Sequence, residues 1–200
     1  MKKRVLNVGG NSKKILLPNQ YDGYEQMLLD IDAAQAPDVV CDAREMAARL
    51  APAAYDAVYC SHNNIEHYYP HDVPKVLAGF LHVLKEPGFA QVIVPDIEDV
   101  MRTCIARGLA LEDTLYESNA GPITVHDVIY GFGSEIERSG SDFFAHKTGF
   151  TPRSLEAALL KAGFSKVYIE TWEFAVYAMA FKGVPDPATI ASFELAGVPA

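Results

Sequence analysis

The stretch SKVYIETWEFAVYAMAFKG, residues 165–183, decides the fold. It holds two runs rich in aromatic and β-branched residues, SKVYIETW and EFAVYAMAFKG, joined by only a tight connection. A parallel crossover needs a dozen or more residues, so these two strands must pair antiparallel. Just upstream, TPRSLEAALLKAG (151–163) predicts a helix, with Thr151 as its cap, Pro152 at its first position and Gly163 at its end.

The rest of the chain follows another pattern. RVLNV (4–8), EQMLLDI (25–31), DVVCD (38–42), YDAVYCS (55–61) and AQVIVPD (90–96) are short apolar runs ending in turn or acidic residues, with helical spacing in most of the intervals. That alternation predicts an α/β domain with five parallel strands ahead of the terminal hairpin. AREMAARLA (43–51) is rich in helix formers. DVPKVLAGFLHVL (72–84) places Val73, Val76, Leu77, Phe80, Leu81 and Leu84 at three- and four-residue spacing, with Asp72 as its expected cap and Pro87-Gly88 as its stop. IEDVMRTCIARG (97–108) predicts a further helix. Residues 109–150 show no sustained period and read as a long loop, of the kind that serves as a lid or binding segment. The expected organisation is a single domain over 1–182, including that loop, and a loosely held tail over 183–200.

Two hundred residues, half of them apolar, are enough for one substantial core. The balance of 17 basic against 26 acidic residues, net −9, argues against a nucleic-acid or anionic-membrane binder, since the long-range field repels both. The basic start MKKRVLNV lacks the apolar centre of a signal peptide, and no run approaches a membrane span, so a soluble, cytoplasmic protein is expected. Cys41, Cys60 and Cys104 are odd in number and outside any CxxC spacing, which predicts reduced thiols.

In an open parallel sheet the ligand lies beyond the carboxyl ends of the strands. Gly9 and Gly10 end the first strand, where missing side chains would let a ligand approach the backbone. Asp30 and Asp32 end the second, where a carboxylate accepts from both hydroxyls of a ribose. Asp42 ends the third, placed for the exocyclic amine of an adenine, and Ser61-His62 end the fourth. Each has a plainer reading: a tight turn for the glycines, a strand-end turn for Asp30, and a helix cap for Asp42. HNNIEHYYPH (62–71) offers His62, Glu66, His67 and His71, but its spacing matches neither HExxH nor HxxEH, so no metal is expected. His67 reads equally as a hydrogen-bonded brace.

The succession VLNVGG, LLDID, DVVCDAREM, YDAVYCSHNNIEHYY, VLKEPGFAQVIVPDIED and KTGFTPRSLEAALLKAGFSKVYI resembles the class I S-adenosylmethionine-dependent methyltransferases, particularly the small bacterial type with a Ser-His…Glu-His segment after strand four. The resemblance covers about residues 4–182. It implies a Rossmann-like, mostly parallel seven-stranded sheet with an antiparallel terminal hairpin, and S-adenosyl-L-methionine as cofactor. Carried over by position, Gly9 and Gly10 face the methionine part, Asp30 holds the ribose, Asp42 and Ala43 lie along the adenine, and Ser61 and His62 close the pocket near the sulfonium. The implied reaction is methyl transfer to a small-molecule acceptor, with His62, His126 or His146 as candidate general bases and Asp96 as a further candidate facing the acceptor. The terminal hairpin and the 109–150 segment are candidate surfaces for a homodimer. GGNSKK departs from the family's GxGxG pattern, and this supports an alternative: a non-catalytic binding or assembly protein that keeps the fold but has an eroded cofactor motif.

Overall fold

In a computed structural model, residues 2–61, 64–118, 121–185 and 187–194 are described. Seven strands form the main sheet: β1 (Arg4–Val8), β2 (Glu25–Asp30), β3 (Val39–Val40), β4 (Tyr55–Cys60), β5 (Leu84–Pro95), and the late pair β8 (Lys166–Trp172) and β9 (Ala175–Phe181). Their spatial order is β3-β2-β1-β4-β5-β9-β8. The first five pair in parallel, whereas β9 runs antiparallel to both neighbours, as the short connection in 165–183 requires.

Two-residue alternation divides the sheet's side chains between two layers. Leu6, Val8, Val58, Ala90, Val92, Val94, Val176 and Ala178 enter the larger core. That core is closed by α2 (Val73–Val83), through Val76, Leu77 and Phe80, and by the late helix Pro152–Ala162, through Leu155 and Leu159. Val5, Ala57, Phe89, Met179 and Phe181 face the other way, under Tyr21 and Phe193.

The helices at 72–84, 97–108 and 151–163 appear within one residue of their expected bounds, the second of them as α3 (Ile97–Arg107). Several expectations are corrected. The helix expected over 43–51 is a 3-10 turn at Ala43–Glu45 and one helical turn, α1 (Met46–Arg49), because Pro52 follows closely and disfavours helical backbone before it. Asp72 precedes α2 without a side-chain capping bond, since its carboxylate accepts from Lys75 at 2.7 Å and Arg44 at 3.2 Å. β5 starts at Leu84 rather than at residue 90, and Pro87, which has no N–H to donate, falls where the β4–β5 register shifts.

Residues 109–150 are not one long loop. They form a hairpin, β6 (Thr114–Ser118) with β7 (Gly121–Thr124), then α4 (Val125–Tyr130) and α5 (Gly133–Ser139). Leu115, Val125 and Val128 bury a small core of their own against Val100 of α3. The helix at Pro152–Ala162 is accordingly α6. The tail is not loose over 187–194 either: it forms α7 (Pro187–Glu194), and Phe193 packs 4.8 Å from the Phe89 ring and 5.8 Å from that of Phe181. No described helix is long and apolar enough to cross a membrane.

Candidate active site

The carboxyl ends of β1, β2 and β3 open into a cavity of about 550 Å³, within the range of small-molecule sites. Gly9, Asp30, Asp42, Ala43, Asn64 and His67 are in its wall. A second cavity of about 340 Å³ adjoins it, lined by Glu66, Tyr116, Asp127, Arg138 and His146 among others. Asn11 and Phe144 line both, so the two share a partition.

Asp30 is buried at the tip of β2. One carboxylate oxygen accepts from the Asp32 amide at 2.9 Å, and the other has no hydrogen-bond partner among the described residues. Asp32 turns to its own short helix, accepting from Ala34 N at 2.9 Å. Asp42 is committed differently. It caps the turn at Ala43, accepting from Arg44 N at 2.9 Å, and takes Arg44 Nε and Nη2 on the same carboxylate at 3.0 Å and 2.6 Å. Burial alone would raise its pKa, but the Arg44 bonds outweigh this and hold the carboxyl below its usual range. Arg44 Nε lies 3.1 Å from Oδ1 as well, and these four contacts use the lone pairs of the carboxylate, so an adenine amine reaches Asp42 only if Arg44 shifts.

The glycine pair divides. Gly9 lines the cavity with φ +69, but its amide already donates to Leu29 O at 2.9 Å. Gly10 is small for another reason than ligand approach: a Cβ there would lie 2.1 Å from Asn7 Nδ2, so the space belongs to the buried Asn7 side chain. Ala43 is buried in the cavity wall, and Ser61 is in the wall of neither cavity. His62 lies outside the described residues.

On the second cavity's side, the candidate histidines separate clearly. His126 is exposed on α4, tilted against Tyr130 at 4.9 Å between ring centroids, and lines neither cavity. Asp96 is buried and caps α3, accepting from Glu98 N at 3.0 Å and Asp99 N at 3.2 Å; burial outweighs these bonds and raises its pKa. His146 lines the cavity. Its Nδ1 pairs with Val128 O at 2.9 Å, and burial lowers its basicity. His67 braces the 139–147 segment by pairing Nδ1 with Phe143 O. Burial pushes His67 down to about 4 and the neighbouring Glu66 up to about 8.

Sequence reasoning did not find Arg44, which ties Asp42 to Asp72, or Arg138, which α5 brings to the second cavity. The D-A-R order at 42–44 carries a hint of the first, since a guanidinium two residues after a capping aspartate can fold back onto it. Nothing local marks Arg138, because α5 had to be placed before its side chain had an address.

No protein-family model and no curated protein sequence matches the chain. Its fold is the Rossmann-like fold of class I S-adenosylmethionine-dependent methyltransferases. Among solved structures it is similar to a SAM-dependent methyltransferase from Archaeoglobus fulgidus, with TM-score 0.58 and 18% identity over 90% of this chain and 86% of that one. A SAM-dependent methyltransferase from Methanosarcina mazei aligns with TM-score 0.55 and 14% identity, over 92% and 94% of the two chains. The 1,6-didemethyltoxoflavin-N1-methyltransferase of Burkholderia thailandensis, with 1,6-didemethyltoxoflavin and S-adenosylhomocysteine bound, aligns with TM-score 0.53 and 15% identity, over 92% and 72%. Identities this low establish the architecture alone.

Proposed function

We propose that this protein binds S-adenosylmethionine in the larger cavity and transfers its methyl group to a small-molecule acceptor in the smaller one. The observation that carries this reading is Asp30: a buried carboxylate at the tip of β2, in the cavity wall, anchored through one oxygen by its own loop and with the other unbonded among the described residues. The chemistry of the wall fits the group. Ribose hydroxyls and an adenine amine are donors, and the second Asp30 oxygen and the buried Asn64 Oδ1, both without a hydrogen-bond partner among the described residues, are acceptors. Asp30 would hold the ribose, with Ala43 against the adenine.

When bound, the cofactor supplies an electrophilic methyl carried on a sulfonium. The protein's part is then to hold an acceptor in line with that methyl and exclude water; such orientation is worth roughly 7–11 kcal/mol in well-aligned systems. Of the candidate catalytic groups among the described residues, His146 is the one that lines the acceptor cavity. Its Nδ1 must carry the proton that Val128 O accepts, which leaves Nε2 with a free lone pair.

The non-catalytic alternative draws on the first loop. Gly9 N is already bonded and the Gly10 space is already filled, so this loop offers little of the backbone cradle that the three-glycine pattern provides. One measurement separates the readings. S-adenosylhomocysteine at a hundredfold over its Kd stabilises by about 2.7 kcal/mol, a shift of several degrees in Tm, whereas NADH gives none. Asp30→Ala weakens that binding roughly ten- to a hundredfold, the worth of a hydrogen bond to a charged group. Absence of any shift or heat with the wild type at millimolar ligand would favour the binding protein.

A further inference from the structure

Glu66, His67 and His146 meet in the partition between the two cavities. His67 lines the larger one, and Glu66 and His146 line the smaller. The Glu66 carboxylate is 2% exposed and the His67 side chain 10%. One ligand atom from each of the three lies within 4.8 Å of the others. The rings of His67 and His146 meet edge-on, 5.1 Å between centroids and 68° between planes.

The tautomers are fixed by chemistry. Each histidine pairs its Nδ1 with a backbone carbonyl, Phe143 O for His67 and Val128 O for His146. A carbonyl only accepts, so each Nδ1 carries the proton and each Nε2 presents a lone pair. His67 Nε2 is buried with no hydrogen-bond partner among the described residues, 4.0 Å from Glu66 Oε1. A ring nitrogen from each histidine and a Glu66 carboxylate oxygen thus lie close enough together for one cation to bridge them.

The backbone holds the three together independently of their side chains. Lys147 N and Thr148 N both donate to Glu66 O, at 2.8 Å and 3.1 Å, which staples the segment carrying His146 to the segment carrying Glu66 and His67. Backbone carbonyls on the far nitrogens are the outer partners that orient metal-bound histidines.

We propose that Glu66, His67 and His146 bind one divalent transition-metal ion of the zinc type. Hard cations such as Mg²⁺ and Ca²⁺ take oxygen ligands, whereas two imidazoles with one carboxylate select a first-row transition ion. Bond lengths to such ligands are about 2.0–2.2 Å, so a movement of under about 1 Å by each side chain closes the triangle. Three protein ligands leave a fourth position free, as in catalytic rather than structural zinc sites. Because Glu66 and His146 line the smaller cavity, an oxygen or nitrogen donor bound there would take that position. This last point rests on the reading of that cavity as the acceptor site; the ion site itself does not. The spacing of HNNIEHYYPH hides the cluster, because the segment supplies only two of the ligands and the third comes from beyond α5.

The test uses the full untagged chain, loaded with Zn²⁺, dialysed against metal-free buffer and assayed for metal, with Co²⁺ as the spectroscopic substitute. The expected result is one ion per chain, visible d–d bands with Co²⁺, and an X-ray absorption first shell of nitrogen and oxygen with imidazole scattering. Glu66→Gln and His146→Gln, each checked for folding by circular dichroism, should weaken binding at least about tenfold, the scale that even outer partners of metal sites reach. His71→Gln and His126→Gln, at exposed histidines, should retain the ion. The wild-type absorption spectrum decides the matter even if a buried variant fails to fold. Failure of the wild type to retain an ion, sulfur in its first shell, or a folded His146→Gln protein binding as tightly as wild type overturns the proposal. Ion retention without any S-adenosylhomocysteine shift sinks the methyl-transfer reading alone, and the reverse result sinks the metal site alone.

Discussion

At Gly10 the side chain is missing for the sake of a neighbour three residues back. The position has ordinary backbone geometry, and the obstacle to a Cβ is the Asn7 amide at 2.1 Å. Asn7 is itself buried, and its Oδ1 has no hydrogen-bond partner among the described residues. Gly10→Ala is therefore expected to cost about 1–3 kcal/mol by overpacking. In the Asn7→Ala background the same change should cost less, with a coupling of about 1 kcal/mol in a denaturant double-mutant cycle. Strictly additive effects would mean that the glycine answers to something else. A second residue-scale test concerns Asp56, which accepts from Arg4 N and Lys85 Nζ, both at 2.8 Å. Burial would raise its pKa, but the Lys85 and Arg4 bonds prevail and depress it in the folded state. The sign follows: its stabilisation is present in full above about pH 4, the unfolded value, and is lost as pH falls through the lower folded one. Asp56→Asn should thus flatten the acid side of the stability profile, by up to about 1 kcal/mol for a partly exposed pair. An unchanged acid slope in urea melts between pH 2 and 6 would remove Asp56 from the account.

Between α4 and α5, Gly131 does what no other residue can. Its φ is +103, and a Cβ would meet Phe144 O at 2.1 Å, a backbone atom with little room to yield. Gly131→Ala should cost more than about 2 kcal/mol, combining left-handed strain with the clash. Because Phe144 lines both cavities and His146 follows it, the same variant should weaken ligand binding in calorimetry; stability loss with unaltered affinity would uncouple this connection from the site. Elements differ in how plainly the sequence declares them. α2, α3 and α6 carry apolar residues at helical spacing with caps and stops of their own, and the antiparallel pair follows from the length of one turn. The hairpin β6–β7 and the helices α4 and α5 declare nothing comparable, since each is short: β6 and α4 bury one and two side chains on a core shared with α3, and α5 buries none. The site divides in the same way. Asp30 is legible because strand-end position alone places it, whereas the grouping of Glu66 and His67 with His146 depends on a fold-back that no local period records.

On the scale of the whole molecule, the two faces of the sheet are covered unequally. One carries α1, α2 and α6 over a large core; the other has the 3-10 turn Asn19–Tyr21 where a helix would ordinarily follow β1, and α7 from the end of the chain. Tyr21 stacks on Phe89 at 6.1 Å between ring centroids and donates its hydroxyl to Gln91, while Phe193 reaches the same phenylalanine from the other direction. Tyr21, from the loop after β1, and Phe193, from α7, thus close one face together around Phe89. Phe193→Ala tests this directly. Loss of a buried aromatic costs about 3–5 kcal/mol in a core, and the lower end applies to a terminal helix that can undock. At roughly 2–4 °C per kcal/mol for a chain of this size, Tm should fall by about 6–12 °C. Val184→Ala, at a tail residue 85% exposed, should change stability by no more than about 0.5 kcal/mol. Equal melting curves for the two variants would show that the second face is closed without the tail, and that the contact of Phe193 with Phe89 contributes nothing to stability.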